Sequence, residues 1–113
     1  MRLTEIVFTD ALPVDAYGPG FFRIGGRVIE GPVALTPDGV RPWGGYSDSA
    51  FPGSIDVLIV GTGAETAHPP ALFVERVGRV GIGIEAMASP AACRSYNMLL
   101  AEGRRVGLAV LPV

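Results

Sequence analysis

The chain has 113 residues, 49% of them apolar and 18% charged, with a formal net charge of −2. That is the size and mix of one globular domain, large enough to bury a core without a metal or disulfide staple. The charge balance leaves no electrostatic footprint for nucleic acid, the single cysteine excludes an internal disulfide, and no run of about 18 uncharged apolar residues supplies a membrane span.

A lone cysteine fits a reducing compartment, and no charged-then-apolar leader opens the chain. A cytoplasmic protein is the expectation. All nine basic residues are arginine.

Residues 1–43 are short apolar runs broken by turn signals. In "FFRIGGRVIE", Gly25-Gly26 reads as a two-residue hairpin loop between Phe21–Ile24 and Arg27–Glu30, because glycine accepts the positive φ such turns need. Phe22, Ile24 and Ile29 then share one face. In "GPVALTPDGVRPW", Pro37-Asp38-Gly39 is a second turn. Proline presets φ, aspartate bonds its own backbone and glycine relaxes the exit. This half reads as an antiparallel meander. Residues 44–54 are a connection, tacked down by Tyr46 and Phe51.

From residue 55 the period changes. "IDVLIV" is an apolar strand leading into Gly61. Residues 70–79 read as a short helix with Pro70 near its first turn and a Glu75–Arg79 pair at i,i+4. "VGIGI", residues 80–84, is a strand apolar on both faces. Ser89 is the expected N-cap of the next helix, with Pro90 at its first position. That helix runs to about Glu102 and stops at Gly103. "VGLAVLP" is the last strand. Residues 55–113 thus read β-α-β-α-β, a small parallel sheet with right-handed crossovers. The fold class is α/β (α+β): one domain, a β-meander over 1–43 packed on a mixed or parallel core sheet over 55–113.

Ligands of an open α/β sheet bind at the carboxyl ends of its parallel strands. Two loops leave that edge, Gly61–Pro69 and Glu85–Ala88. The first is long for its kind, and Gly61-Thr62-Gly63 is placed to offer backbone N–H groups to an anion. The second brings Glu85, Met87 and a helix N-terminus. Gly61 and Gly63 after a strand, with Glu85 ending the next, have the look of a dinucleotide fingerprint. Thr66 occupies the third glycine position and "HPP" intervenes before the helix, so a plain Gly-rich turn is the preferred reading.

Cys93 falls with Ala92, Tyr96, Leu99 and Leu100 on one helical arc, the core face. A cysteine there is a small hydrophobe with a raised pKa. The helix N-terminus and Arg94 pull the other way, which keeps a reactive thiol as the alternative. Arg94 and Asn97 lie off the arc, within reach of a partner or ligand. The plainer reading has Arg94 pairing with Glu85 or a carbonyl and Asn97 capping a loop. His68 has no Cys, Asp or Glu at ligand spacing, so no metal site is read. No nucleophile–base pair stands out, and no cofactor is implied. Arg104 and Arg105 follow a helix end, where cations complement the dipole.

With "IDVLIVGTG", Glu85-x-Met87, "AACRSYNMLLAEGRRV" and "GPGFFRIGG", the chain resembles, over nearly its whole length, a family of small single-domain proteins of unknown function. The family includes an archaeal founding structure, the adipogenesis-associated protein of animals and a mitochondrial assembly factor for respiratory complex I, third in its series. The resemblance implies a β-rich front on a compact mixed sheet with two main helices. It implies no established enzymatic activity, and in the mitochondrial branch a role in protein binding during assembly of a membrane complex. The candidate ligand or partner residues in the matching motifs are Gly61, Thr62, Gly63, Glu85, Met87, Cys93, Arg94, Tyr96 and Asn97.

Three functions follow as expectations. The first is a non-enzymatic protein-binding or assembly module with an unidentified protein partner. The second is a small-molecule or thiol-redox site in the crevice formed by the Gly61–Gly63 loop, Glu85 and the Cys93–Arg94 helix. The third is a nucleotide site at Gly61–Gly63. The exposed meander also offers a surface for a homodimer.

Overall fold

A computed structural model describes residues 11–113. The first ten residues of the expected meander lie outside the described residues. Three strands open the described chain: β1 (Val14–Gly18), β2 (Phe21–Ile24) and β3 (Arg27–Glu30), antiparallel in that order. Gly25 and Gly26 form the expected tight turn, at φ +61° and +78°, the two positive values that a twist-matched hairpin turn requires. Phe22 stands opposite Ile29, and Phe22 and Ile24 are buried on the inner face.

The meander does not continue as one sheet. The chain leaves the first sheet at Gly31-Pro32, and β4 (Val33–Thr36) pairs instead with β5 (Gly39–Pro42) and with β8 (Val106–Leu111). The reason lies in β4 itself. All four of its residues are buried, and a strand apolar on both faces must be interior to a covered sheet. At the β4–β5 turn Asp38 does not bond its own backbone. Its N–H donates to Thr36 Oγ1 at 3.1 Å.

The second sheet has five strands in the order β5-β4-β8-β6-β7. Here β6 is Val57–Thr62 and β7 is Gly83–Met87. β8, β6 and β7 run parallel, as the second half of the sequence implies, and β4 and β5 add an antiparallel edge. Helix α1 (Ala71–Gly78) covers one face and helix α2 (Ser89–Ala101) the other. Along β6, Leu58 and Val60 pack toward Phe73 and Val77 of α1, while Ile59 packs toward Cys93 and Tyr96 of α2. The first sheet covers the α2 side through Val14, Phe22 and Ile24. The fold is a layered α+β arrangement.

The strand expected at 80–84 lies three residues later. Val80 and Gly81 finish the helix instead, with N–H bonds to Val77 and Gly78 carbonyls, and Val80 is 55% exposed. The Glu75–Arg79 ion pair forms at 2.8 Å. The 44–54 connection is held as expected. Trp43, Tyr46 and Phe51 surround Phe73 with centroid separations of 5.9, 5.2 and 6.3 Å, all edge-on. Trp43 Nε1 donates to the Asp48 carbonyl at 2.9 Å.

This aromatic box generates a stability prediction. Phe73→Ala removes the ring on which three others rest and should lower the unfolding free energy by about 3–5 kcal/mol. Denaturant titration followed by the fluorescence of Trp43 measures it. A loss below about 1 kcal/mol would show that the box is not a core element.

Candidate functional site

The carboxyl ends of β6, β7 and β8 meet the start of α2, where a ligand crevice is expected. The crevice is occupied by the chain itself. Ser89 is 1% exposed and is not the N-cap, which is Ala88. Its hydroxyl accepts the Gly63 N–H at 2.8 Å and donates to the Leu111 carbonyl. Its own N–H donates to the Gly63 carbonyl at 2.7 Å. One residue thus ties the ends of β6 and β8 to the first turn of α2.

The glycines of "GTG" serve this junction. A Cβ on Gly61 would lie 2.4 Å from Val110 Cγ2 and 2.8 Å from Ser89 Oγ. Gly63 has φ +101°, a conformation for glycine. Its N–H is taken by Ser89, so the expected anion donor is engaged internally. Thr62 Oγ1 accepts the Ala67 N–H at 3.1 Å and donates to the Glu65 carbonyl at 2.6 Å, with the Met87 carbonyl 3.2 Å away. Thr66 Oγ1 accepts the Ala88 N–H at 3.2 Å. The long 61–69 loop is folded onto itself and onto the entry of α2.

Along α2 the residues divide by face. Cys93 is 4% exposed. Burial pushes its thiol up to about 11, against a smaller downward pull from the Arg94 charge, so the thiol is neutral at pH 7. Tyr96 is fully buried, burial raises its phenol, and its hydroxyl donates to the Leu12 carbonyl at 2.7 Å. The side chain of Asn97 is engaged within the chain. Its amide clamps Val14, accepting the N–H at 2.8 Å and donating to the carbonyl at 2.9 Å. Ser95, on the opposite flank, lies 3.4 Å from Met87 Sδ. Successive helical residues are about 100° apart, so Arg94 projects between the two flanks, and it is exposed.

Glu85 is also exposed, on the β7 face that carries Met87. Among the described residues the ion pairs are Arg41–Asp48, Arg79–Glu75 and Arg105–Asp56, so Glu85 and Arg94 do not pair with each other. Of the nine candidate residues, Gly61, Thr62, Gly63, Met87, Cys93, Tyr96 and Asn97 are engaged in packing or in hydrogen bonds within the chain, and Glu85 and Arg94 are exposed. His68 is exposed in its loop. Among the described residues no cluster of three His, Cys, Asp or Glu side chains could hold a metal.

The sequence reading missed Ser89 as a junction residue. Its signal was the pairing of a sterically required Gly61 with a Ser-Pro helix start. It also missed an open groove of about 390 Å³ between β3 and β5, with Leu12, Ile24, Ile29 and Val40 on its apolar walls.

Residues 14–111 match the family model described as protein of unknown function (DUF498/DUF598). The chain belongs to this family. It is 44% identical, over its full length, to an uncharacterised protein of Rhodobacter capsulatus, covering 94% of it. It is 33% identical to human NADH dehydrogenase (ubiquinone) 1 alpha subcomplex assembly factor 3 over 90% of this chain. It spans 61% of that relative's length. A crystal structure described as an outer membrane protein from Bartonella henselae superposes with a TM-score of 0.81 at 29% identity, covering 94% of this chain and 98% of that one. The family resemblance drawn from the motifs is thus confirmed. No helix among the described residues is long and apolar enough to cross a membrane.

Two outcomes test the site as described. Ser89→Ala strands the Gly63 N–H and the Leu111 carbonyl without their partner, at a cost of about 1–3 kcal/mol, read by denaturant melts. For Cys93 the sign is fixed by burial. Its folded pKa is raised, so the stabilising proton preference is intact at neutral pH. Stability is lost as pH climbs from the ordinary thiol range through about 11. The thiol should label with maleimide only under unfolding conditions, and Cys93→Ala should flatten part of the alkaline decline. Labelling in the native state at pH 7 would overturn the assignment.

Proposed function

We propose that the protein is a non-enzymatic binding module that acts in the assembly of a larger protein complex. One observation carries this reading. The place where an open α/β sheet offers a ligand its crevice is closed by the hydrogen-bonded junction at Ser89, Gly63 and Leu111. The neutral, buried Cys93 gives no support to a redox site, and the engaged Gly63 N–H gives none to a phosphate. Exposed Glu85 and Arg94 are the members of the candidate set free to meet a protein partner. The relatives named as assembly factors of NADH dehydrogenase support the class of role. The finer reading is a part in building a multisubunit respiratory complex, with work done in the cytoplasm.

The test is made in the host. A tagged copy should recover the same protein partner in repeated purifications, and charge reversal at Glu85 or Arg94 should lower recovery while the melting temperature holds. Deleting the gene should lower the amount of assembled NADH dehydrogenase on native gels. Fractionation should find the protein in the soluble cytoplasmic fraction. No reproducible partner and unchanged assembly would sink the module reading, and recovery in the envelope would sink the location.

A further inference from the structure

Among the described residues four strands lie at sheet edges, and the chain treats them differently. Open edges invite pairing with another chain, and folded proteins blunt them. On β1, the Asn97 amide takes both the N–H and the carbonyl of Val14, as a neighbouring strand would. On β3, Arg27 and Glu30 put charges at both ends of a four-residue strand. On β5, Pro42 has no N–H to offer, and the Arg41 guanidinium donates to the Pro42 carbonyl at 3.2 Å and to the Ala50 carbonyl at 2.9 Å.

β7 is the exception. It is a five-residue strand without proline and, among the described residues, it is paired on one side only, to β6. Gly83 donates its N–H to the Asp56 carbonyl on the β6 side. In a parallel ladder successive residues direct their groups to alternate sides. Gly83, Glu85 and Met87 therefore face β6, and Ile84 and Ala86 direct both N–H and C=O outward. The next outward N–H, at Ala88, is taken by Thr66 Oγ1. The window is bounded at that end and holds two donors and two acceptors.

We propose that this edge of β7 receives an extended strand from a protein partner, with a basic side chain set against Glu85. The proposal rests on the binding-module reading and specifies its mode. Charge selects the occupant. Glu85 is the central residue of β7, is exposed, and is its only charged side chain. A second copy fits poorly. An antiparallel two-fold pairing that uses all four open groups sets Ile84 against the partner's Ala86, and so sets Glu85 against another Glu85. Like charges directly opposed destabilise a strand pair, whereas an opposite pair stabilises it. The edge thus disfavours itself and favours a strand carrying Lys or Arg.

The probe is a ten-residue peptide alternating valine and threonine, with one central lysine and alternate N-methylation so that one edge alone can pair. Its control carries glutamate at the centre. With the full, isotope-labelled chain, the lysine peptide should slow amide exchange at Ile84 and Ala86 and bind roughly fivefold tighter than the control. Glu85→Lys should reverse that preference. Ala86→Pro deletes one outward N–H and should abolish binding with the melting transition retained. If that variant does not fold, the reversal by Glu85→Lys decides alone. Unchanged exchange at Ile84 and Ala86, equal affinity for both peptides, or shifts confined to Ile24, Ile29 and Val40 would overturn strand addition. A host partner recovered equally well by Glu85→Lys would overturn it too, while leaving the module reading in place.

Discussion

The geometry of the α2 side of the main sheet depends on the hydrogen bonds that Ser89 makes at the start of α2. Three segments meet there: the residue after β6, Gly63, the last residue of β8, Leu111, and the first turn of the helix. Each contributes a polar backbone group that would be costly to leave unpaired in a partly buried place. A serine hydroxyl both donates and accepts, so one small side chain satisfies a donor on one strand and an acceptor on another. The approach is close because Gly61 carries no Cβ; any larger residue would meet Val110 and Ser89 well inside contact distance.

With its first turn fixed, α2 positions everything on its side of the sheet. Its 13 residues make a rod about 20 Å long. The inward arc of Ala92, Cys93 and Tyr96 packs on β6 and β8, and two polar side chains reach the start of the small sheet and the residue leading into it. Tyr96 bonds Leu12 and Asn97 bonds Val14. Among the described residues the two sheets are not joined by strand pairing. They are held together by an apolar layer containing Phe22 and Ile24, by these side-chain bonds from one helix, and by the Gly20 N–H donating to the Val113 carbonyl at 3.1 Å. The other face is organised separately, around Phe73 and the aromatic residues of the 43–51 connection.

How much of this was legible in the sequence follows from the range of the signals. Local chemistry read well: the Gly25-Gly26 turn, the Glu75–Arg79 pair and the burial of Cys93 and Tyr96 rest on neighbours close in the chain or on helical period. Non-local pairing did not. β4 reads as one more meander strand until its burial on both faces shows that it must sit inside the larger sheet, beside a strand more than 70 residues away. The position of β7 failed because "VGIGI" has the composition of a strand, and the finishing turn of α1 claims its first two residues. The candidate residues were singled out as polar or glycine in a crevice. Glycine there answers to close packing as readily as to a phosphate, and an amide off the core arc answers to a bare strand edge as readily as to a ligand. Separating these needs the third dimension.

Asn97 and β7 together bear on function. Both concern the same physical liability, a strand edge with unpaired backbone groups. The chain resolves it at β1 with a dedicated amide, at β5 with a proline and an arginine, and at β3 with charges at the two ends. At β7 the far end is closed by Thr66, and the middle carries one carboxylate. That carboxylate does not satisfy the backbone groups beside it. It sets a rule about what can, because a strand of the same charge is repelled and a basic one is drawn in. An edge that is open to hydrogen bonding yet selective by charge differs from an unprotected one in the discrimination it makes. In a protein whose ligand crevice is closed by its own serine, that discrimination is the physical ground for reading β7 as the working surface of a binding module.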